Sequence, residues 1–209
     1  MDFRAFVHRE SRQHVADAYS SARLRYAKLS AKDERLVSLT REGRDDPVLA
    51  GLDNLKYTAP VAPEEIEEML HERQSSLLEV AILLPPTEKH PTGEVIGSMG
   101  LGGAPDKRMF ACRRATFGIY IAKDHQRKGY GREATNWLLD WGFSQAGLHT
   151  IALKTNSFNE GAIELYKAVG FVEEGREREV RYLNRKWYDV VLFSMTEDEW
   201  ERLRADAEH

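Results

Sequence analysis

Apolar positions along the chain change period several times, and each change marks an element. Between residues 133 and 146, Ala134, Trp137, Leu138 and Trp141 recur at i, i+3, i+4 and i+7, which predicts a helix with one apolar face. Residues 77–84, 94–101, 116–121 and 148–153 are instead short apolar runs bounded by glycine, proline or charge, and predict buried strands. Pro85-Pro86 and Pro91-Thr92-Gly93 turn the first of these runs into the second, making a hairpin. A second hairpin is predicted for 171–182 and 187–195 around Asn184-Arg185, and a short strand for 34–39. Pro63, followed by Glu64 and Glu65, opens a helix with proline and acids in its first turn, where both are favoured. Asn159 caps a helix that runs to about residue 169 and closes at Gly170, and 197–208 is a short polar helix. The result is an α/β (α+β) chain with a mixed sheet, in which one crossover sets two parallel strands side by side.

The 209 residues suit one domain with extensions, expected as an N-terminal helical extension over 1–32, a main domain over 33–200 and a tail over 201–209. The first thirty residues carry six Lys/Arg against three acids, with Phe3, Phe6 and Val7 at the start, and predict a basic amphipathic helix; an RNA- or ribosome-docking arm is a further reading of it. The net charge of −4 argues against broad binding of nucleic-acid phosphates. No apolar run approaches the ~18 residues of a membrane span, and residues 1–5 lack the apolar core of a secretory signal. The lone Cys112 excludes an intramolecular disulfide and fits a reducing compartment, so a cytoplasmic protein is expected.

The segment Gln126-Arg127-Lys128-Gly129-Tyr130-Gly131-Arg132 lies between a predicted strand and a predicted helix. Gly129 and Gly131 allow positive φ and close backbone approach, and a helix start offers unpaired N–H groups and a positive dipole end. With Gln126, Arg127, Lys128 and Arg132 in the same turn, phosphate or pyrophosphate is the natural guest. A tight surface turn with solvated basic residues fits these seven residues equally well. A Walker loop is excluded, because no Gly-Lys is followed by Ser or Thr. A dinucleotide fingerprint fits poorly, because residues 151–155 supply no acid.

A second segment narrows the choice. Gln126-x-x-Gly129-x-Gly131 after a strand, then Asn159-x-x-Ala162-Ile163-x-Leu165-Tyr166-x-x-x-Gly170-Phe171, together resemble the Gcn5-related N-acetyltransferase (GNAT) superfamily. The continuation Glu173-Glu174-Gly175-Arg176, and later Asn184-Arg185-x-Trp187-Tyr188-Asp189, resembles its ribosomal-protein N-terminal acetyltransferase-like branch, with fungal-type small acetyltransferases nearest. The resemblance implies a mixed, mostly antiparallel seven-stranded sheet, splayed at the cofactor site and flanked by helices. It implies acetyl-CoA as co-substrate, no metal, and a primary amine as acceptor, either a protein N-terminus or a small amine. By the same resemblance, Ile119, Tyr120 and Ile121 hold the pantetheine arm. Residues Gln126, Arg127, Lys128, Gly129, Tyr130, Gly131 and Arg132 hold the pyrophosphate, and Asn159, Ala162 and Tyr166 also face the cofactor. Tyr166 is the expected catalytic acid, giving a proton to the departing CoA thiolate, since a phenol with pKa ~10 lies above a thiol.

The general base is where the chain departs from that pattern. Relatives carry Glu-x-Gly in the strand before the cradle, whereas here the acidic position is Thr116, in Thr116-Phe117-Gly118. Glu79 and Glu94 are substitutes by proximity alone, each expected first as a solvated edge residue, a water chain is equally consistent, and His149 is expected to be structural. Arg113, Arg114, Arg181 and Arg185 are candidates for an acidic acceptor or ordinary surface charges. The alternative to an enzyme is a catalytically silent acyl-CoA-binding sensor or scaffold, in either case a monomer or homodimer without a membrane.

Overall fold

The computed structural model describes residues 18–45, 62–102 and 112–207. In chain order its elements are β1 (Arg25–Ala27), α1 (Glu34–Asp45), α2 (Pro63–Gln74), β2 (Leu78–Leu83), β3 (Val95–Gly102) and β4 (Arg114–Ile121). There follow α3 (Tyr130–Asp140), β5 (Thr150–Asn156), α4 (Glu160–Val169), β6 (Val172–Leu183), β7 (Lys186–Thr196) and α5 (Glu197–Ala207). The strands form one seven-stranded sheet in the order β1-β2-β3-β4-β5-β7-β6, and β4–β5 is its parallel pair.

Strand alternation sorts residues between the two faces of this sheet. Val80, Met99 and Ile119 oppose one another across β2, β3 and β4 on one face, and Ala81, Ser98 and Tyr120 do so on the other. The first face meets α3 and α4 through Leu138, Leu139, Tyr166 and Val169, with Phe193 of β7 fully buried among them. The second face meets α1 and α2, whose Leu36, Leu39, Ile66 and Leu70 form a smaller core. A π-helical turn, Trp141–Gln145, ends α3. There a Cβ on Gly142 would lie 2.7 Å from Ile151 Cδ1, so the missing side chain lets the helix end approach β5. Trp200 of α5 stacks on Phe143 and donates from its indole to Asp140 at 2.8 Å, fixing the last helix.

Two expectations are corrected. Residues 34–39 are the first half of helix α1, not a strand. Asp33 caps it, accepting from the Arg35 N–H at 3.0 Å, and Leu36 and Leu39, three apart, enter the core while Ser38 stays outside. The expected helical extension over 1–32 falls outside the described residues up to 17, Phe3, Phe6 and Val7 included. Its remainder contains β1, which pairs antiparallel with β2, instead of a helix. The sheet therefore has the expected seven strands with a different first one. Among the described residues, no helix is long and apolar enough to cross a membrane.

Phe193→Ala should cost about 3–5 kcal/mol, as large-to-small changes at fully buried sites do. Circular-dichroism melting should register this as a midpoint lowered by roughly 10 °C.

Candidate active site

The crossover pair β4–β5 makes the site. Arg114, Ala115 and Thr116 pair with Thr150, Ile151 and Ala152, and there the pairing stops although both strands continue, β4 to Ile121 and β5 to Asn156. A cavity of about 760 Å³ opens where they part. Ile119, Tyr120 and Ile121 line one side, and Lys154 and Thr155 the other.

The cradle closes one end. Arg127 and Gly129 both take left-handed backbone, at φ 60° and 84°, and Gly129 is the N-cap of α3. A turn of this kind, running into a helix N-terminus, gathers N–H groups on an anion. Gln126, Arg127, Gly129, Gly131 and Arg132 lie on the cavity wall, while Lys128 and Tyr130 do not. Those two are held from behind by a residue the sequence did not single out, Arg23. Its guanidinium donates to the Lys128 carbonyl at 3.1 Å and lies 4.8 Å from the centre of the Tyr130 ring. Arg23 also donates from Nε, and from its backbone N–H, to Glu133 of α3 at 2.7 Å each, and the Ser21 hydroxyl donates to the same carboxylate at 2.7 Å. Partial burial works to raise the Glu133 pKa, but these Ser21 and Arg23 bonds prevail and hold it below the usual range. The Gln126 amide donates to the Ile121 carbonyl at 2.9 Å, which ties the end of β4 to the cradle.

Helix α4 forms the inner wall. The Asn159 side chain caps it by accepting from the Ala162 N–H at 3.3 Å, and both residues line the cavity. Two turns on, Tyr166 reaches the wall from a ring of aromatics, with centroids 6.2 Å from Phe117, 5.8 Å from Phe171 and 6.0 Å from Phe193. Burial pushes its phenol up to about 12, so the hydroxyl keeps its proton at neutral pH.

The remaining candidates separate cleanly. Thr116 is exposed and absent from the wall. Glu94 pairs with His125 at 3.3 Å, and His149 lies 3.6 Å from Glu197, at the far end of β5. Arg113, Arg114 and Arg181 contact Glu197, Glu174 and Asn156 respectively, and Arg185 sits in the β6–β7 turn at φ 63°. None of these four arginines is on the wall, which instead carries Arg44 of α1 and Arg73 of α2. Sequence reading missed both because their helices lie far along the chain from the motifs. Glu79, expected as a solvated edge residue, is largely enclosed, with its side chain 14% exposed. Burial raises its carboxyl to about 7, against a modest opposing pull from Arg73 at 4.0 Å.

A family model described as Acetyltransferase (GNAT) family matches residues 52–171. A spermidine N(1)-acetyltransferase of Vibrio cholerae is 42% identical over 78 residues, which are 37% of this chain and 45% of that protein. A putative ribosomal N-acetyltransferase of Bacillus subtilis, YdaF, is 33% identical over 89 residues, 43% of this chain and 49% of that one. The matched segment thus spans about half the length of either relative. The crystal structure of spermidine N-acetyltransferase from Vibrio cholerae in complex with CoA and spermine superposes with a TM-score of 0.69 at 25% identity, covering 87% of this chain and 99% of the other. These relatives are bacterial and lend the expected fungal-type branch no support.

The Glu79 carboxyl makes a stability prediction with a definite sign. The native group keeps its proton to about 7 and the unfolded group only to 4.5, so the native state is the more protonated across that window and loses stability as pH rises through it. Glu79→Gln should therefore stabilise the fold by about 3 kcal/mol at pH 8 and by almost nothing below pH 4.5, read from denaturant unfolding at the two pH values.

Proposed function

Because the chain belongs to the GNAT acetyltransferase family, we propose that it is an acetyl-CoA-dependent N-acetyltransferase that moves an acetyl group to a primary amine by direct attack in a ternary complex. The observation that carries this reading is the parting of β4 from β5 into a cavity with an anion cradle at one end and a buried, protonated tyrosine on its inner wall. A strand edge turned toward the cavity, a left-handed basic turn and a cavity of about 760 Å³ suit an elongated thioester with a pyrophosphate.

Acetyl-CoA supplies the activated acyl thioester. The edge of β4 at Ile119–Ile121 that faces away from β3 holds the pantetheine arm as an added strand, and an N–H of that edge polarises the thioester carbonyl. Arg127, Gly129, Gly131 and Arg132 take the pyrophosphate, while Lys128 and Tyr130 support the turn from outside. Asn159 spends its oxygen on capping α4 and keeps its NH₂ for the arm beside Ala162. Tyr166 gives its phenolic proton to the departing CoA sulfur, which its burial among Phe117, Phe171 and Phe193 favours by disfavouring any earlier ionisation.

The acceptor enters from the α1–α2 side, where Arg44 and Arg73 stand on the wall. Among the described lining residues Glu164 is the one acid, against Arg44, Arg73, Arg127, Arg132 and Lys154. That balance suits a peptide N-terminus or a carboxylate-bearing small amine better than a polyamine, and so agrees with the ribosomal-protein-like branch.

Thiol release from acetyl-CoA, measured with an alanine-initiated peptide, free amino acids and spermidine, should favour the first two. Tyr166→Phe should lower kcat by ~100-fold while leaving CoA affinity unchanged in calorimetry. Gly129→Ala, at φ 84° and with Arg23 3.2 Å from the added Cβ, should weaken CoA binding by roughly 10-fold. Tight CoA binding without release of thiol to any amine would replace the enzyme with an acyl-CoA sensor.

A further inference from the structure

An acceptor ammonium, with a pKa of ~8 at a peptide N-terminus and ~10 on an alkyl amine, must lose a proton before it attacks, and Thr116 puts no carboxylate on β4 to take it. On the α1–α2 face of the sheet, one row runs from Glu79 of β2 through Gly100 of β3 to Gly118 of β4. Directly opposed residues share a face, so the two glycines leave a strip without side chains beside a carboxylate. Glu79 fills the first half of it: a Cβ added to Gly100 would collide with its Oε2. The second half is open, because a Cβ added to Gly118 would meet nothing within 4 Å, and Gly118 is on the cavity wall. Glu79 itself is two strands back from Gly118, but its carboxylate reaches over Gly100, one strand spacing of ~4.8 Å from that wall, the span of a single bridging water.

Among the described residues, the charged and titratable groups that face this row include Arg73 of α2, Arg44 of α1 and Tyr120 of β4. Arg73 Nη1 stands at 4.0 Å from Oε1, too far to lock the carboxylate into a tight ion pair. Burial leaves the group titrating at about 7, where it both accepts and releases a proton readily. Glu94 has no such position, being paired with His125.

We propose that Glu79 is the general base of the transfer, drawing the acceptor's proton across the bare strip of Gly100 and Gly118 through one water. The proposal rests on the acetyltransferase reading above. The ammonium loses one proton to the Glu79 carboxylate through this water, and the freed nitrogen lone pair forms the C–N bond as the C–S bond breaks. A second nitrogen proton is released as the amide forms. Of these two protons, one is balanced by the proton Tyr166 gives to sulfur and recovers from solvent, and the other leaves through Glu79.

The test uses the full chain. In wild-type protein without CoA, carbon-13 NMR of labelled glutamate carboxyls should show one group titrating near 7 that vanishes in Glu79→Gln. With the alanine-initiated peptide as acceptor, Glu79→Gln should lower kcat/KM at pH 7 by ~100-fold and remove the wild-type fall in rate below that pH. Its calorimetric CoA affinity should match wild type, which separates loss of the base from loss of the fold. Glu79→Asp, with a shorter side chain, should fall between the two. Hydroxylamine, uncharged at neutral pH, needs no base and should be acetylated by Glu79→Gln at nearly the wild-type rate. Equal losses with peptide and hydroxylamine, or an unchanged pH profile in Glu79→Gln, overturn the proposal. Failure of the acetyltransferase reading looks different: wild-type protein would then bind CoA and acetylate neither amine, and the base would fall with it.

Discussion

The parallel pair β4–β5 ends after Thr116 and Ala152, and most of the architecture follows from that early stop. Two strands that separate expose main-chain N–H and C=O groups in the middle of a sheet, where such groups are normally paired. Where each strand still has a partner on its other side, β3 for β4 and β7 for β5, the gap cannot close by sliding. The long antiparallel pairings hold the two half-sheets at fixed positions, and α4 fills the inner end of the wedge with Tyr166 and Leu165. An extended guest with amide groups of its own completes the pairing, which is why a strand-like arm suits this opening.

The cradle depends on the same crossover. Its turn must reverse the chain from β4 into α3 within a few residues, and left-handed Arg127 and Gly129 accomplish this. Non-glycine residues in that region carry a steric cost, so the turn needs outside support. That support comes from the segment before α1: Ser21 and Arg23 engage Glu133 in the first turn of α3, and Arg23 braces Lys128 and Tyr130. Glu133 sits where a helix dipole favours a negative charge, and its ion pair keeps the arginine on the outer side of the turn.

How legible this was in the sequence varied with the range of the interactions involved. The crossover, the cradle and the Asn159–Tyr166 helix are local patterns of periodicity, capping and glycine placement, and the structure has the corresponding strand–turn–helix and capped helix. Residues 34–39 misled because six residues are too few to separate a strand from a helix, and the Asp33 cap was the overlooked signal. Strand β1 is three residues long and exists through its pairing with β2, some fifty positions away, so nothing local announces it. Arg44 and Arg73 reach the cavity wall through the packing of α1 and α2 on the sheet, and Arg23 reaches the cradle through a contact across more than a hundred residues. The enclosure of Glu79 was invisible for the same reason: a glutamate in an apolar strand looks like an edge residue until α2 is laid over it.

Glycine inside a strand weakens it, having no side chain to pack and more entropy to lose. A carboxyl that titrates at about 7 also makes the native state less stable at neutral pH than a neutral isostere would. Gly100, Gly118 and Glu79 combine both costs in one row of the sheet. Packing alone would favour alanine or valine at Gly118 and a neutral or apolar side chain in place of Glu79, whereas Gly100 has no room for a Cβ beside Glu79 and the Leu78 carbonyl. Nor does Arg73 rescue the carboxylate, because at 4.0 Å it offsets only part of the burial. Perturbed, under-compensated groups beside a cavity are where stability gives way to chemistry. The bare strip and the poorly paired carboxylate together separate this face of β4 from an ordinary helix-covered sheet surface.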